Sequence, residues 1–370
     1  MCVKQSAKGF DNGYVHYTFT NHDNGYADEV LAGGQYNRAP YPKNPANSRS
    51  FERGKLMKEL QYNAAGKPVY EKETTWNRYG SQGEDNVRAI FVQIDGITFT
   101  CSSLACYLNY VYKFLPAKQV ETVFDTNGVN PVSKATIYTY TAQMLLSAEE
   151  TATSSGIRKT TYQYPSDFAT AEPYKTMVAK HILSPIVEKS QYQDNVFLQK
   201  DLTRYKKWAS TLFAPEFIQT QTNGETVPDN RIQYLDYDKY GNPLAVLKDD
   251  GENIVYLWSY GGQYLVAEIR NATLREVDAV LNSTLGVSSA DMLSTLVTPN
   301  EVKLKNGSLQ RALPKSQVTT YTHKPLMGVI SSTDPAGLTT TYEYDTFGRL
   351  AKIKDPDGHV IESYEYNYAH

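Results

Sequence analysis

The sequence predicts a mainly β protein, a meander of antiparallel hairpins interrupted by one short helical insertion. Three observations predict it. An aromatic residue followed by Asx-x-x-Gly recurs five times, at Tyr62-Asn63-x-x-Gly66, Trp76-Asn77-x-x-Gly80, Phe124-Asp125-x-x-Gly128, Tyr237-Asp238-x-x-Gly241 and Tyr344-Asp345-x-x-Gly348. Glycines are regularly spaced: Gly337, Gly348 and Gly358 lie eleven and ten residues apart, and Gly241 and Gly251 lie ten apart. Tyrosine is over-used, at 30 of 370 residues against 12 phenylalanines and 3 tryptophans.

Each observation has a physical reading. The Asx side chain accepts from nearby backbone N–H groups and the glycine takes φ > 0, so Asx-x-x-Gly is a turn. Plain Asp-x-x-Gly turns are expected at Asp334–Gly337 and Asp355–Gly358 as well. A strand of six or seven residues plus a turn fills a ten-residue interval, giving two strands per motif. Alternate tyrosines, such as Tyr342 and Tyr344 or Tyr364, Tyr366 and Tyr368, share one strand face. There they bury a ring and keep a polar tip free for water or backbone.

Along the chain, 36–50 carries Pro40, Pro42 and Pro45 and reads as a surface loop. Lys134–Thr141 and Arg158–Tyr164 read as strands separated by Ser154-Ser-Gly156. Ile254–Tyr260 and Gln263–Ile269 flank Gly261-Gly262, and Gln317–Thr322 and Gly328–Ser332 continue the pattern. Thr273-Leu-Arg-Glu276 is a capping box, followed at helical spacing by Val277, Val280 and Leu281. Further short helices are expected at Ser289–Leu296 and Ser308–Leu313, before Pro314. The insertion over 270–314 is expected to pack on the sheet or to plug one of its openings.

At these residues the chain resembles the YD-repeat (Rhs-type) proteins, whose unit is an aromatic-x-Tyr-Asp-x-x-Gly-Arg-Leu turn, a strand and a second glycine about ten residues on. Tyr342 to Leu350, with Arg349 and then Gly358, match it fully. Leu235 to Leu244 with Gly251 match with Asn242 in place of arginine and an added proline. The helical interruption and the tyrosine-rich ending are similar to the YD proteins of Bacteroidetes. The resemblance implies a curved, spiralling β-sheet that forms part of a hollow shell. In toxin complexes such a shell encloses a toxic domain, and in teneurins it is a scaffold for cell contact. The expected organisation is one continuous array: degenerate repeats over 1–230, repeat hairpins over 231–269, the insertion over 270–314 and C-terminal repeats over 315–370. The chain is then expected to be the C-terminal part of a longer shell. Asp334-Pro-Ala-Gly-Leu338 is similar to the family's self-cleavage sequence, but no Gly-rich core block precedes it. It is read as a turn.

Nothing in the sequence selects catalysis. No serine-hydrolase elbow, zinc-protease helix, phosphate loop or dinucleotide fingerprint is present. His16 and His22-Asp23 have no third ligand at metal spacing, and Cys101 and Cys106, separated by four residues, fit neither a zinc nor a redox pair; Cys2 stands alone. Glu149-Glu150 and Asp249-Asp250 are neighbours that face opposite sides of a strand. No cofactor and no metal are expected. With 37 cationic and 40 anionic side chains, nucleic acid is not an expected partner, and no run approaches the ~20 apolar residues of a membrane span. The residues Met1 to Gly9 lack the apolar segment of a signal peptide, so export from the cell would rely on a signal further upstream.

The leading expectation is a non-enzymatic shell segment of a secreted or cell-surface bacterial protein. Its partners would be the rest of a longer YD chain or a neighbouring shell subunit, with an enclosed toxin domain as cargo. The alternative is a carbohydrate-binding surface protein that meets a surface glycan through aromatic faces. Its candidate contacts are Trp258 and Tyr260 beside Tyr256, and the basic-aromatic cluster of Arg204, Lys206, Lys207 and Trp208. A hydrolase using scattered carboxylates is the third reading.

Overall fold

The computed structural model describes residues 2–7, 10–29, 47–80, 86–94, 101–208 and 211–366. The cysteine side chains and most of the loop expected over 36–50 lie outside the described residues. Two compact units divide the chain, Met1–Gln163 with Lys189–Leu198, and Tyr164–Glu188 with Gln199–His370.

The first unit holds β1 (Cys2–Ala7), β2 (Phe10–Phe19), β3 (Leu56–Tyr62), β4 (Pro68–Tyr79), β5 (Asn86–Ile94), β6 (Cys101–Tyr110), β7 (Lys113–Val123), β8 (Val132–Tyr140), β9 (Leu146–Thr153) and β10 (Gly156–Gln163). Neighbours pair antiparallel in the order β1-β2-β3-β4-β7-β8-β9-β10, and β5 pairs β6 as a separate hairpin. Among its described residues few apolar side chains are buried; Val15 and Phe114 are examples. The strands hold through cross-strand polar pairs instead. Lys134 faces Glu121 at 3.0 Å, Lys159 faces Glu150 at 3.6 Å, and Thr136 meets Thr151 at 2.9 Å, each pair in register. Such pairs contribute roughly 0.2–1 kcal/mol each.

Two expectations fail here. Ser154-Ser-Gly156 does not separate two strands directly, because β9 lies between β8 and β10 and the turn joins β9 to β10. Trp76-Asn77-x-x-Gly80 is not a turn: β4 runs through it, with Trp76 opposite Pro116 and Asn77 opposite Leu115. Long-range pairing there overrides a local turn signature.

The chain leaves the first unit at Tyr164 for α1 (Tyr174–Ala179), a helix the sequence pattern does not reveal, and returns along β11 (Glu188–Gln193). Tyr174, Met177 and Val187 form a small core there with Phe168, Ile182, Tyr205 and Phe213. The second unit continues from Gln199 in β12 (Val196–Lys207) through β13 (Phe213–Thr222), β14 (Asp229–Tyr237), β15 (Pro243–Lys248), β16 (Asn253–Ser259) and β17 (Tyr264–Arg270). Four helices follow, α2 (Leu274–Thr284), α3 (Ala290–Thr295), α4 (Glu301–Lys305) and α5 (Ser308–Ala312). Strands β18 (Gln317–Lys324), β19 (Gly328–Thr333), β20 (Thr339–Tyr344), β21 (Leu350–Lys354) and β22 (Val360–Ser363) complete the ladder. From β12 to β22 every consecutive pair of strands is antiparallel, so the fold is mainly β with one helical insertion.

The insertion packs on the sheet. Ala245, Val255, Ile269 and Val318 are successive register partners across β15–β18 and form one apolar row. Val277 and Leu281 of α2, Leu293 of α3, Leu304 of α4 and Leu309 of α5 join them in the main core. The capping box starts α2 as the sequence indicates: Thr273 Oγ1 accepts from Glu276 N–H, and Glu276 Oε2 accepts from Thr273 N–H at 2.8 Å. Burying each leucine contributes about 1.5–3 kcal/mol, so this layer outweighs any set of surface ion pairs.

Candidate functional site

The most repeated arrangement of side chains is the hairpin corner. At Asp345 the backbone N–H donates to Arg349 O (2.8 Å) and Gly348 N–H donates to Asp345 O (3.0 Å). Asp345 Oδ1 accepts from the N–H groups of Phe347 and Arg349 at 2.9 Å each. Oδ2 takes the Arg349 guanidinium at 2.7 Å. Gly348 sits at φ +76°, where a side chain is strained. The Arg349 N–H, then its side chain, hold the Asp345 carboxyl below the usual range.

Asp238 and Gly241 build the same corner, with Tyr240 and Asn242 N–H on Oδ1 at 2.9 Å. Asn242 replaces the arginine of the repeat, and its amide donates to Asp238 Oδ2 at 3.0 Å where the guanidinium does at Asp345. Asn63–Gly66, Asp125–Gly128, Asp334–Gly337 and Asp355–Gly358 repeat the backbone bonds. Gly251 closes the β15–β16 turn at φ +84° by donating to Lys248 O. A corner missed in the sequence lies at Thr141–Met144. Thr141 Oγ1 accepts from Gln143 and Leu145 N–H at 3.2 Å, and Met144 adopts φ +62°.

Six aromatics near strand ends make a bond of their own, and three of them, Tyr140, Tyr237 and Tyr344, stand directly before a corner. Trp76 Nε1 donates to Leu56 O, Tyr140 Oη to Pro116 O, Tyr237 Oη to Pro215 O, Trp258 Nε1 to Pro243 O, Tyr344 Oη to Val329 O and Tyr366 Oη to Leu350 O, all at 2.7–3.0 Å. In five of these the donor lies three residues beyond the last ladder pair and the acceptor two before it, the pairs being Lys58–Glu73, Lys118–Ile137, Ala245–Val255, Ser331–Thr341 and Lys352–Ser363. Trp76, Tyr140, Tyr237, Trp258 and Tyr344 each also sit at a register shift toward the following strand.

The geometry explains the aromatic. A bulge re-aims its side chain backward, and the ring carries an O–H or N–H to a strand-start carbonyl that the ladder no longer reaches. Three of the acceptors are prolines, in places a strand tolerates them: Pro243 opens β15, and Pro116 and Pro215 lie at register shifts of β7 and β13. Burial pushes the Tyr140 hydroxyl up to about 12, and raises Tyr237 and Tyr344, so the donors stay protonated. Arg349 extends the contact, its guanidinium lying 4.2 Å from the Tyr366 ring centre.

The candidate ligand contacts are differently placed. Arg204 Nε donates to the Gln219 amide oxygen at 3.3 Å. Lys206 pairs with Glu216 at 2.9 Å and lies 4.6 Å from the Trp208 ring centre. Trp208 Nε1 donates to Ala214 O and its ring packs on Tyr237. Lys207 is exposed. Tyr260 is buried and faces the helices: its hydroxyl donates to Glu301 Oε1 at 2.9 Å and reaches His323 O at 3.2 Å. It therefore does not share an open face with Trp258. Trp258 and Tyr256 instead line a recess of about 250 Å³ with Tyr234, Ile232, Val246 and Leu265.

Glu149 and Glu150 separate as alternation demands, Glu149 accepting from the Tyr162 hydroxyl and Glu150 facing Lys159, whereas Asp249 and Asp250 lie in the β15–β16 turn and not on a strand. His22 lies 3.4 Å from its neighbour Asp23, while His16 lies exposed on β2. Asp355, Asp357 and His359 approach one another at the last corner, where Asp355 Oδ1 accepts the other two residues' N–H groups. Among the described residues no helix is long and apolar enough to cross a membrane.

Residues 328–360 match the RHS Repeat family. No curated protein matches the chain. Among solved structures it is similar to the TcdB2-TccC3-Cdc42 crystal structure, at 8% identity and TM-score 0.45 over 93% of this chain and 19% of that one. The TcdB2-TccC3 crystal structure gives 9% and 0.43 over 95% and 20%. A Photorhabdus luminescens Tc holotoxin pore gives 10% and 0.33 over 83% and 15%. The chain thus spans about a fifth or less of the structures it resembles.

Proposed function

We propose that this YD- or Rhs-type repeat chain is a non-enzymatic wall segment of a larger β-shell on a secreted or cell-surface protein, used to enclose a cargo domain or to make cell contact. The observation that supports it is the repetition of the corner from Asn63 to Asp355 and of the aromatic bond from Trp76 to Tyr366. The recurring polar groups serve backbone geometry, and the carboxylates of the corners are occupied by turn N–H groups. Hairpins of this kind need neighbours to satisfy their edges, which fits a segment of a longer wall. The twelve structural positions of the wall are Tyr237, Asp238, Gly241, Gly251, Asp334, Gly337, Tyr344, Asp345, Gly348, Arg349, Asp355 and Gly358.

The test is to purify the protein from its own cells by an affinity tag and image the particle. A hollow β-walled assembly in the surface or secreted fraction is expected. A cytoplasmic monomer that turns over a small substrate would end the reading.

A second reading, a glycan contact, is favoured by one feature. The recess beside Trp258 exposes aromatic surface, and the Tyr234 and Tyr256 hydroxyls there make no hydrogen bond to a described residue. A glycan array with wild type and Tyr256→Ala decides it: no binder, or equal binding by both, removes it.

A further inference from the structure

His323 of β18 lies beneath the helical layer, 8% exposed, and its Nδ1 has no hydrogen-bond partner. Its ring stacks on Tyr264 with centres 4.9 Å apart and meets Tyr260 edge-on at 6.0 Å. Tyr260 and Tyr264 are themselves edge to face at 5.4 Å, so three rings close around one another. The trio is one point where the insertion is fastened, beside the apolar core and the bond from Thr320 Oγ1 to Leu304 O at 2.9 Å. Tyr260 Oη donates to Glu301 at the start of α4 and to the His323 carbonyl. Tyr264 Oη accepts from Leu326 N–H, and Gly261 N–H donates to Leu296 O at the end of α3.

We propose that His323 is an acid-sensitive latch: protonating its ring loosens α4 and the 259–261 turn from β18. An imidazolium in this place needs an anion or water that the neutral ring does without. The groups facing it are few. Glu301 comes from α4, Tyr260 from the β16–β17 turn and Tyr264 from β17. From β19 its register partner is Val329, whose carbonyl is taken by Tyr344. Lys324, next on its own strand, is exposed. The nearest carboxylate is therefore Glu301, already bound to the Tyr260 hydroxyl. Serving the imidazolium means leaving that hydroxyl, and α4 then loses its tie to the turn.

Burial lowers the His323 pKa from its ordinary value, and Glu301 opposes that effect in part. The sign follows. The unfolded ring takes up its proton near pH 6.5 and the folded ring only at lower pH. The stabilisation is complete above pH 6.5 and is lost as pH falls through the folded value.

The test is hydrogen exchange followed by mass spectrometry at pH 7.5 and 5.0, corrected for intrinsic exchange. Wild type is expected to lose protection several-fold over 299–313 and 320–324 between the two pH values, because the ring takes up a proton more readily when the region opens. His323→Phe, which keeps a stacked ring without a titrating nitrogen, is expected to change less than twofold. Equal loss in both proteins overturns the proposal. Should His323→Phe not fold, the imidazole resonance of His323 in wild type and Glu301→Gln decides. A midpoint below 6.5 that falls further in Glu301→Gln supports the latch, and one at or above 6.5 overturns it.

Discussion

Strands β7–β9 and strands β16–β18 share one hairpin geometry, yet they are stabilised by different forces. In β7–β9 most side chains are half-exposed, polar pairs such as Lys134–Glu121 and Thr136–Thr151 alternate with small or exposed apolar ones such as Val120–Ala135, and Ile137 is 49% exposed. In β16–β18 one face is sealed by four helices over a row from Ala245 to Val318. The aromatic bond recurs in both, from Tyr140 to Pro116 O and from Trp258 to Pro243 O, and a corner adjoins each region, at Thr141 between β8 and β9 and at Asp238 between β14 and β15. So the backbone pattern does not depend on a core, and the helical layer adds stability to a sheet already specified by its edges.

The largest expected effect separates those two contributions. Leu281→Ala, at a fully buried position of α2, is expected to cost about 2–5 kcal/mol. Ile137→Ala in β8 is expected to cost under about 1 kcal/mol. Urea unfolding of each variant, with hydrogen exchange to locate the loss, checks the pair. Comparable costs would mean that β7–β9 has an apolar backing of its own.

The second comparison keeps the chemistry constant and changes burial. Asp238 is 1% exposed and Asp125 is half-exposed, and each carboxylate accepts two backbone N–H groups and one asparagine amide. Asp238→Ala leaves those donors without solvent and is expected to cost about 2–3 kcal/mol, whereas Asp125→Ala, whose donors water can reach, is expected to cost clearly less. Equal losses would show that the corner bonds, rather than their burial, set the scale.

These corners were the legible part of the sequence because their chemistry is local. A carboxylate, two N–H groups and a glycine lie within five residues, so spacing alone reveals them. Trp76-Asn77-x-x-Gly80 has the same spacing and misleads, since Asn77 is committed to Leu115 of β7, which no local pattern shows. Thr141–Met144 has neither Asx nor Gly and was missed, although a hydroxyl makes the same two bonds. The helical insertion announced itself through the Thr273 capping box, while α4 is only five residues long and leaves no periodicity. The aromatic bond was not legible either. Its acceptor is a backbone carbonyl, identical in every residue, and only the register and the bulge bring it to the ring.

That bond supplies the third test. Tyr344→Phe and Tyr140→Phe each remove one hydroxyl and keep the ring, with an expected loss of about 0.5–1.5 kcal/mol. Tyr342→Phe, two residues earlier on β20, removes a hydroxyl that makes no such bond to a described residue and is expected to change stability by less than about 0.5 kcal/mol. Thermal unfolding of the three variants measures this. If the loss is the same at all three, the ring's burial rather than its donor explains why the repeat uses tyrosine.

The smallest effect asks whether the departures from the repeat are compensated. Met144 holds φ +62° where other corners, Gly348 among them at φ +76°, use glycine. A side chain in the left-handed region costs roughly 1–2 kcal/mol. Glycine removes that strain but loses about 0.5–1 kcal/mol through the freedom of the unfolded chain. Met144→Gly is therefore expected to stabilise the β8–β9 hairpin by about 0.5 kcal/mol, and Gly348→Ala to destabilise β20–β21 by about 1 kcal/mol. Hydrogen exchange in the two hairpins reads both changes against the same wild-type baseline. If Met144→Gly weakens its hairpin instead, the methionine side chain contributes contacts that outweigh its strain, and the Thr141 corner is a variant with its own packing rather than a worn copy of the repeat.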